Sequence, residues 1–433
     1  MSQTKTLDQW LVELERNHPV AIDLGLERIE PVARRMGLFD GKIASKVITV
    51  AGTNGKGSTV AMIEALALSH GLSCASYTSP HLFEYNERVR LDGTPVDDAT
   101  LVTAFERVDA ARDGISLTYF EAGTLAALHV FKTRAPDIAV LEVGLGGRLD
   151  AVNIIDPDVA VVTTVDRDHA AFLGTDLEQI GLEKAGILRK GAPAVLGSKT
   201  LPASVPRYAQ TLGAAPIYHL ESQFRRTDAD ERGRWHWQGL DRHGERLGLS
   251  ELIDPGLPLD NAATALQAFS LAHEPLNADA IAHALGRITL PGRMQWLERD
   301  GRRWCLDVAH NPHAARYVAG QLVRQPGPRL GVLAMLSDKD AAAVVAEFEG
   351  VIDGWILAGL DGDRARTGDE LTEVVRVSGA RVIGTHRDVS SAIASLSASR
   401  GADEFEAASV LVCGSFFTVA EALTALGHER IGQ

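Results

Sequence analysis

The order of apolar, glycine-rich and helical runs predicts an α/β protein of two domains. The first is an N-terminal P-loop ATPase-type domain on a parallel sheet, residues 1–290; the second is a C-terminal Rossmann-like α/β domain, residues 291–433. Three observations predict this. A β-branched run over residues 47–50 breaks at a glycine-rich turn and passes into a helical run. Near-continuous apolar stretches of strand length, residues 137–143 (DIAVLEV) and 159–165, follow it, as parallel strands covered on both faces require. Beyond Leu290-Pro291-Gly292-Arg293, where proline and glycine break structure, strand and helix alternate afresh. A length of 433 residues also favours two domains over one.

Residues 7–16 read as an amphipathic helix, followed by a loop at 18–24 and a second helix over 26–36 with Asp23 as its cap. The stretch 46–61, KVITVAGTNGKGSTVA, comes next: strand 47–50, a turn from Gly52 to Thr59, and a helix over 60–69. This is the form of a phosphate-binding loop. Its glycines let backbone N–H groups crowd a phosphate, and the helix N-terminus adds partial positive charge. Lys56 reaches the terminal phosphates, and Ser58 or Thr59 sits near a metal. The spacing departs from the common motif, because only Thr53 and Asn54 separate Gly52 from Gly55 and Gly57 follows the lysine. A tight strand-to-helix turn that binds nothing is the alternative.

Downstream, strand 74–77 ends in the turn Thr78-Ser79-Pro80-His81. A short strand over 88–91, a helix over 97–112 and an alanine-rich helix led by residues 117–121 (LTYFE) and ending near Lys132 follow. The central strand 137–143 carries Glu142 at its carboxyl end, where a charge costs free energy unless paired or bound to a cation. A second glycine-rich turn, residues 144–151, lies at the same edge, and strand 159–165 runs into Asp166-Arg167-Asp168-His169. Ser79, Glu142 and His169 thus lie at strand ends beside the phosphate loop. Oxygen ligands there suit magnesium, with imidazole the less usual partner. Helix 180–188 holds Lys184, which local sequence alone reads as a solvated surface lysine. Strand 194–196, short antiparallel strands within 223–249, a helix opened by Leu259-Asp260-Asn261 and running to Ala272, and a helix over 277–285 complete the domain. The second series reads strands 303–309, 330–336, 354–359, 381–384 and 409–413, with helices 313–324, 339–349, 368–378, 388–398 and 416–426 between and after them. Its first strand ends in Asp307-Val308-Ala309-His310.

Composition bounds the function. A formal charge of −14 argues against nonspecific nucleic-acid binding, and it means that an anionic substrate must be held by local groups. No apolar run approaches the roughly 18–20 residues that cross a bilayer, and MSQTKTLDQW lacks a secretory pattern. The three cysteines, Cys74, Cys305 and Cys413, have no metal spacing and read as buried reduced thiols; a cytoplasmic location is expected.

The motifs IDLGLER, VAGTNGKGST, TSPHL, SLTYFEAGTL, LEVGLGGRLDA, DHAAFLG, EKAGI, NAATAL, LPGRMQ, DVAHNPHAA and VCGSFFTVAE stand in that order along the chain. Together they resemble the bifunctional dihydrofolate synthase/folylpolyglutamate synthases, a family of ATP-dependent acid–amino-acid ligases in the Mur ligase superfamily. The resemblance implies ADP-forming ligation of L-glutamate to 7,8-dihydropteroate and to reduced folates, through an acyl phosphate. It implies that Thr53, Asn54, Gly55 and Lys56, with Gly57 and Ser58 beside them, hold the ATP phosphates, and that Asn261, Arg293 and Asp307 contact ATP. Ser79 and Glu142 match ligands of one Mg²⁺ and His169 a ligand of a second; a monovalent cation is compatible with the pattern. Lys184 matches a lysine carboxylated by CO₂. Asp23, Leu24 and Gly25, then Thr118, Tyr119, Phe120 and Glu121, then Leu149, Asp150 and Ala151, match pteroate-binding segments. The second domain matches a glutamate ligase domain, with His310 near the acyl phosphate. Where some relatives carry His, Phe417 follows Gly414-Ser415-Phe416. A monomer without nucleic-acid or membrane partners is expected. A cell-wall ligase, a folylpolyglutamate synthase lacking the dihydropteroate reaction, and a nucleotide switch without ligase activity are the competing readings.

Overall fold

The computed structural model describes residues 5–325, 327–362, 364–398 and 408–428. It divides into two compact units, Met1–Ile288 and Thr289–Gln433.

The first unit is built on eight strands: β1 (Lys46–Ala51), β2 (Cys74–Tyr77), β3 (Val89–Leu91), β4 (Thr94–Pro95), β5 (Ile138–Glu142), β6 (Val159–Val162), β7 (Ala194–Leu196) and β8 (Ile217–His219). Their order is β4-β3-β2-β5-β1-β6-β7-β8. The six strands from β2 to β8 in that order are parallel; β3 pairs antiparallel with β2, and β4 pairs antiparallel with β3, so β3 alone runs against the rest of the sheet. β1, β2, β5, β6 and β7 are almost wholly buried, as expected for β-branched and alanine-rich strands sandwiched by helices. The carboxyl ends of β2, β5, β1 and β6 therefore lie side by side, at the edge where open α/β sheets place ligands.

The helices of this unit are α1 (Leu7–Arg16), α2 (Ile29–Arg35), α3 (Lys56–Ser69), α4 (Asp98–Arg112), α5 (Tyr119–Arg134), α6 (Ala170–Leu173), α7 (Leu177–Ala185), α8 (Ser204–Leu212), α9 (Leu259–Ala272) and α10 (Ala278–Arg287). Three expectations need correction here. The helix after the phosphate loop starts at Lys56, four residues before the apolar run, because Gly55 takes a left-handed φ of 86° as its N-cap. Asp23 caps nothing: α2 begins after Arg28 with no side-chain cap. The strand expected over 159–165 ends at Val162, so His169 lies in the following loop, at the N-cap of α6. The helix α8 went unforeseen because Pro206 falls inside it, in the first turn, where proline costs no helical hydrogen bond. A separate antiparallel sheet joins β9 (Arg225–Arg226), β10 (Arg234–Leu240) and β11 (Arg246–Ile253).

The second unit has strands β12 (Gln295–Arg299), β13 (Arg302–Asp307), β14 (Arg329–Leu333), β15 (Gly354–Ala358), β16 (Val382–His386) and β17 (Ser409–Cys413), ordered β12-β13-β17-β14-β15-β16. All but β12 are parallel. β12, an antiparallel edge strand, carries no strong apolar alternation in its sequence QWLER and was not expected. Helices α11 (Pro312–Leu322), α12 (Ala341–Ala346), α13 (Gly368–Val377), α14 (Val389–Ala398) and α15 (Phe416–Ala425) connect the strands, with α12 only six residues against the eleven or so expected. Cys74, Cys305 and Cys413 are free and buried, and burial pushes all three thiols up. No described helix is long and apolar enough to cross a membrane.

Candidate active site

The loop between β1 and α3 is clasped from both sides. Thr53 N–H donates to Thr164 O at 2.8 Å, and Asn54 N–H donates to Thr164 Oγ1 at 2.9 Å. The Thr163 and Thr164 hydroxyls donate back to Asn54 O at 2.7 and 3.0 Å, and Thr53 Oγ1 bonds to both backbone groups of Asp166. At Gly52 a Cβ would meet Thr163 Oγ1 at 1.9 Å, so only glycine allows this approach. On the other side Asn261, buried in the first turn of α9, donates from Nδ2 to Ser58 Oγ at 2.8 Å. Its amide would lie 2.7 Å from a Cβ on Gly55. Lys56 Nζ donates to the carbonyls of Gly52 and Thr53 at 3.0 and 3.2 Å, which keeps the ammonium over the loop. The Thr163–Thr164 clasp was missed in the sequence; the pair of hydroxyl residues after the apolar run of β6 was its signal.

Beside the loop stands Glu142, the last residue of β5 and only 5% exposed. Ser79 N–H donates to Glu142 Oε2 at 3.2 Å, and a Cβ on Gly57 would sit 3.8 Å from the same oxygen. The structure thus brings Ser79, Glu142 and the phosphate loop together. His169 lies beside Asp168, with Nε2 to Oδ2 at 3.9 Å, on the segment that begins with the Thr163–Asp166 clasp. Among the described residues no group of three or more His, Cys, Asp or Glu side chains could hold a metal. A cation beside Glu142 would draw on that carboxylate and the Ser79 hydroxyl, and take its remaining ligands from phosphate and water, as Mg²⁺ commonly does.

Lys184 is not on the surface: it is 4% exposed. The turn 144–151 packs onto its helix so closely that a Cβ on Gly147 would meet Glu183 O at 2.8 Å, and one on Gly186 would meet Arg148 Cβ at 2.3 Å. Burial first, and the Lys56 charge second, lower the Lys184 amine to about 7 against the pull of Asp168 and Asp150. Asp150 is pushed up to about 6 by burial, which outweighs its bonds from backbone N–H groups and the Lys56 charge. An amine and a carboxyl that both change charge near neutrality, next to a phosphate-type loop, suit a functional site.

The three segments expected to bind an aromatic acid meet in space. Gly25 N–H donates to Leu149 O at 3.3 Å, which joins Asp23, Leu24 and Gly25 to Leu149, Asp150 and Ala151. Arg28 links Asp23 at 2.8 Å to Glu121 at 3.2 Å. Thr118 and Glu121 form the capping box of α5, which fixes Tyr119 and Phe120 at its first turn. Phe120 packs on Tyr77, and a Cβ on Gly144 would meet its ring at 2.6 Å. His18 Nε2 holds the Asp23 carboxylate at 3.2 Å, while its Nδ1 bonds Ser116 Oγ at 2.8 Å. His18 was not singled out in the sequence, because its partner Ser116 lies far along the chain.

In the second unit, Asp307 ends β13 and is buried; desolvation raises its pKa, and Arg293 pulls it down. It accepts from Met294 N–H at 2.8 Å and Ala309 N–H at 2.9 Å. The Arg293 guanidinium lies 5.0 Å from the centre of the Phe416 ring. His310 Nδ1 bonds Val308 O at 2.9 Å. Asp307, Arg293 and Phe416 thus gather at the carboxyl edge of this sheet.

Residues 50–197 match the model of the Mur ligase middle domain, and residues 292–416 that of the Mur ligase glutamate ligase domain. The dihydrofolate synthase/folylpolyglutamate synthase of Escherichia coli (strain K12) is 42% identical, over 98% of this chain and 97% of its own. The Haemophilus influenzae protein of the same name is 38% identical, over 97% and 98%. Among solved structures, E. coli FolC in complex with DHPP and ADP superposes with a TM-score of 0.90 at 40% identity, covering 99% of both chains. The Yersinia pestis bifunctional folylpolyglutamate synthase/dihydrofolate synthase complexed with AMPPNP and Mn ion gives 0.88 at 43%, covering 98% of both. A structure of a protein of that name with Mn, AMPPNP and L-glutamate bound gives 0.87 at 43%, again over 98% of both.

Proposed function

We propose that this chain, which belongs to the dihydrofolate synthase/folylpolyglutamate synthase family of the Mur ligases, uses ATP to ligate L-glutamate to 7,8-dihydropteroate and to tetrahydrofolate and its polyglutamates, releasing ADP. The observation that carries the reading is the meeting, at one sheet edge, of the Lys56 loop, the buried Glu142 with Ser79, and the buried Lys184 packed under the turn that also reaches the Asp23 segment.

A carboxylate does not condense with an amine at neutral pH without activation. Phosphoryl transfer from ATP to the acceptor carboxylate gives an acyl phosphate; the glutamate amine attacks its carbonyl carbon, and phosphate leaves the tetrahedral intermediate. Such transfer asks the protein for positioning and charge neutralisation rather than covalent help. The amides of Thr53, Asn54, Gly55, Gly57 and Ser58 cradle the phosphates, and Lys56 exchanges its loop carbonyls for γ-phosphate oxygens. Ser79 and Glu142 would hold one Mg²⁺ and His169 a second, with a monovalent cation as a further occupant. When bound, these ions supply charge neutralisation for the phosphates and the acceptor carboxylate. Lys184 would carry a carbamate, which turns a buried cation beside Lys56 into an anion attracted to it. Asp23, Leu24, Gly25, Thr118, Tyr119, Phe120, Glu121, Leu149, Asp150 and Ala151 would bind the pteroate portion. Asn261 would contact ATP, as would Arg293 and Asp307 of the second unit, and His310 is assigned to the acyl phosphate. We place the protein in the cytoplasm as a monomer. The test is product mass: incubation with ATP, magnesium, dihydropteroate and L-glutamate should yield dihydrofolate, and with tetrahydrofolate the glutamyl adduct. Unchanged acceptors in both mixtures would refute the reading.

A further inference from the structure

We propose that Arg88 binds the carboxylate of the acid acceptor, a role that none of the assignments above gives it. The inference rests on the ligase reading of the site. Arg88 closes the 3₁₀ turn Tyr85–Arg88 that leads into β3. Its Nε–H donates to His81 Nδ1 at 2.8 Å, and its guanidinium carbon lies 5.3 Å from the Tyr85 ring centre and 5.5 Å from that of Tyr119. The two rings stand edge to face, at 87°. Two aromatic faces, an imidazole and the Tyr77 hydroxyl orient the guanidinium, but none of them neutralises it.

Among the described residues Arg88 has no carboxylate partner. Arg28, Arg90 and Arg148, on neighbouring segments, each have one. In a chain with a formal charge of −14, acids to pair with are plentiful, so a half-buried, oriented and unpaired arginine points to a ligand anion. The free edge of a guanidinium offers parallel N–H donors that match the two oxygens of a carboxylate. Its place selects which carboxylate. Tyr119 begins the helix of the acceptor-binding segment, and His81 shares a turn with Ser79, whose N–H is bonded to Glu142. Arg88 therefore sits where the aromatic body of the acceptor gives way to its acid end. The other basic groups nearby are engaged: Arg28 with Asp23, Glu27 and Glu121, and Lys56 on the loop carbonyls.

The two acceptors separate two sources of the same chemistry. Dihydropteroate has only the reacting carboxylate, whereas tetrahydrofolate has a glutamyl α-carboxylate as well. Calorimetric titration of the full chain with each acceptor, at saturating ADP, compares wild type with R88Q and R88K, and thermal midpoints report folding. R88Q should weaken at least one acceptor about thirtyfold or more, with ADP affinity within about threefold of wild type. R88K, which keeps the charge but not the fork, should recover only part of the loss. Weakening of both acceptors assigns the reacting carboxylate, and weakening of tetrahydrofolate alone assigns the α-carboxylate; either supports the proposal. Unchanged acceptor binding in R88Q and R88K, or a matching loss of ADP binding, overturns it while leaving the ligase reading standing. A wild-type protein that binds neither acceptor sinks both. Should R88Q not fold, R88K decides alone: wild-type affinity for both acceptors overturns the proposal, and a loss of about threefold or more for either supports it.

Discussion

Gly52→Ala should unclasp the phosphate loop, and the cost can be worked from its neighbours. The new methyl would lie 1.9 Å from Thr163 Oγ1, 3.2 Å from Thr163 Cβ and 3.2 Å from the Thr164 backbone nitrogen. Rotation of one hydroxyl does not relieve this, because Thr163 and Thr164, which follow β6, are held by backbone bonds to Ala51 O and from Thr53 N–H. Overpacking of this kind costs about 1–3 kcal/mol. Displacing Thr163 also loses its bond to Asn54 O, at 2.7 Å, worth about 0.5–1.5 kcal/mol. The sum is about 2–4 kcal/mol, visible in urea unfolding as a lower midpoint at unchanged slope. Thr163→Ala alone should cost about 1 kcal/mol. The double variant should be more stable than the sum of the two single losses by about 1–2 kcal/mol, because the hydroxyl that clashes is gone. The KM for ATP in glutamate-dependent ADP release should follow the same order. Wild-type stability in Gly52→Ala, or strictly additive losses, would refute the close approach and with it the clasp.

Lys56→Ala should lower ADP production by about a hundredfold or more with the fold retained by circular dichroism, since one preorganised charge donor at a developing oxyanion is worth at least that; near-normal ligation would contradict the assignment. Glu142→Gln should weaken divalent-ion dependence, read as a rise of about tenfold or more in the magnesium concentration for half activity, and an unchanged requirement would remove it from the metal site. Lys184→Ala should lose activity and regain part of it with small carboxylates such as acetate; full activity without rescue would take it out of the site. With the wild-type amine lowered to about 7, its neutral, CO₂-reactive form is lost as pH falls through 7. Activity at limiting bicarbonate should therefore fall with acidification and be partly restored by added bicarbonate, and a profile indifferent to bicarbonate would argue against the carbamate.

How much could be read in advance follows from the range of each interaction. The phosphate loop, Glu142 and Ser79 were legible because each lies within a few residues of an apolar strand, and parallel strands bring their carboxyl ends to one edge. The burial of Lys184 was not, because it depends on Gly147 and Gly186 letting the turn 144–151 press against α7, which no local pattern in EKAGILR records. Asp23 reads locally as a helix cap; its real partners include Glu121 through Arg28, and that contact exists only once α5 is packed. Arg88 looks like an ordinary surface charge in NERV until Tyr85 and Tyr119 are seen on either side of it. β12 was invisible for a different reason: an edge strand is defined by its neighbour, and QWLER pairs with β13 through a two-residue turn rather than through its own pattern. The resemblance implies what these local patterns lack, namely which distant segments would share a ligand.

In the proposed reaction ATP activates a carboxylic acid for attack by glutamate. ADP release measured with dihydropteroate and with tetrahydrofolate, each with and without L-glutamate, tests it most directly. Release should require both an acceptor and glutamate, matched one for one by ligated product. Slow release indifferent to glutamate, with no product formed, would contradict it.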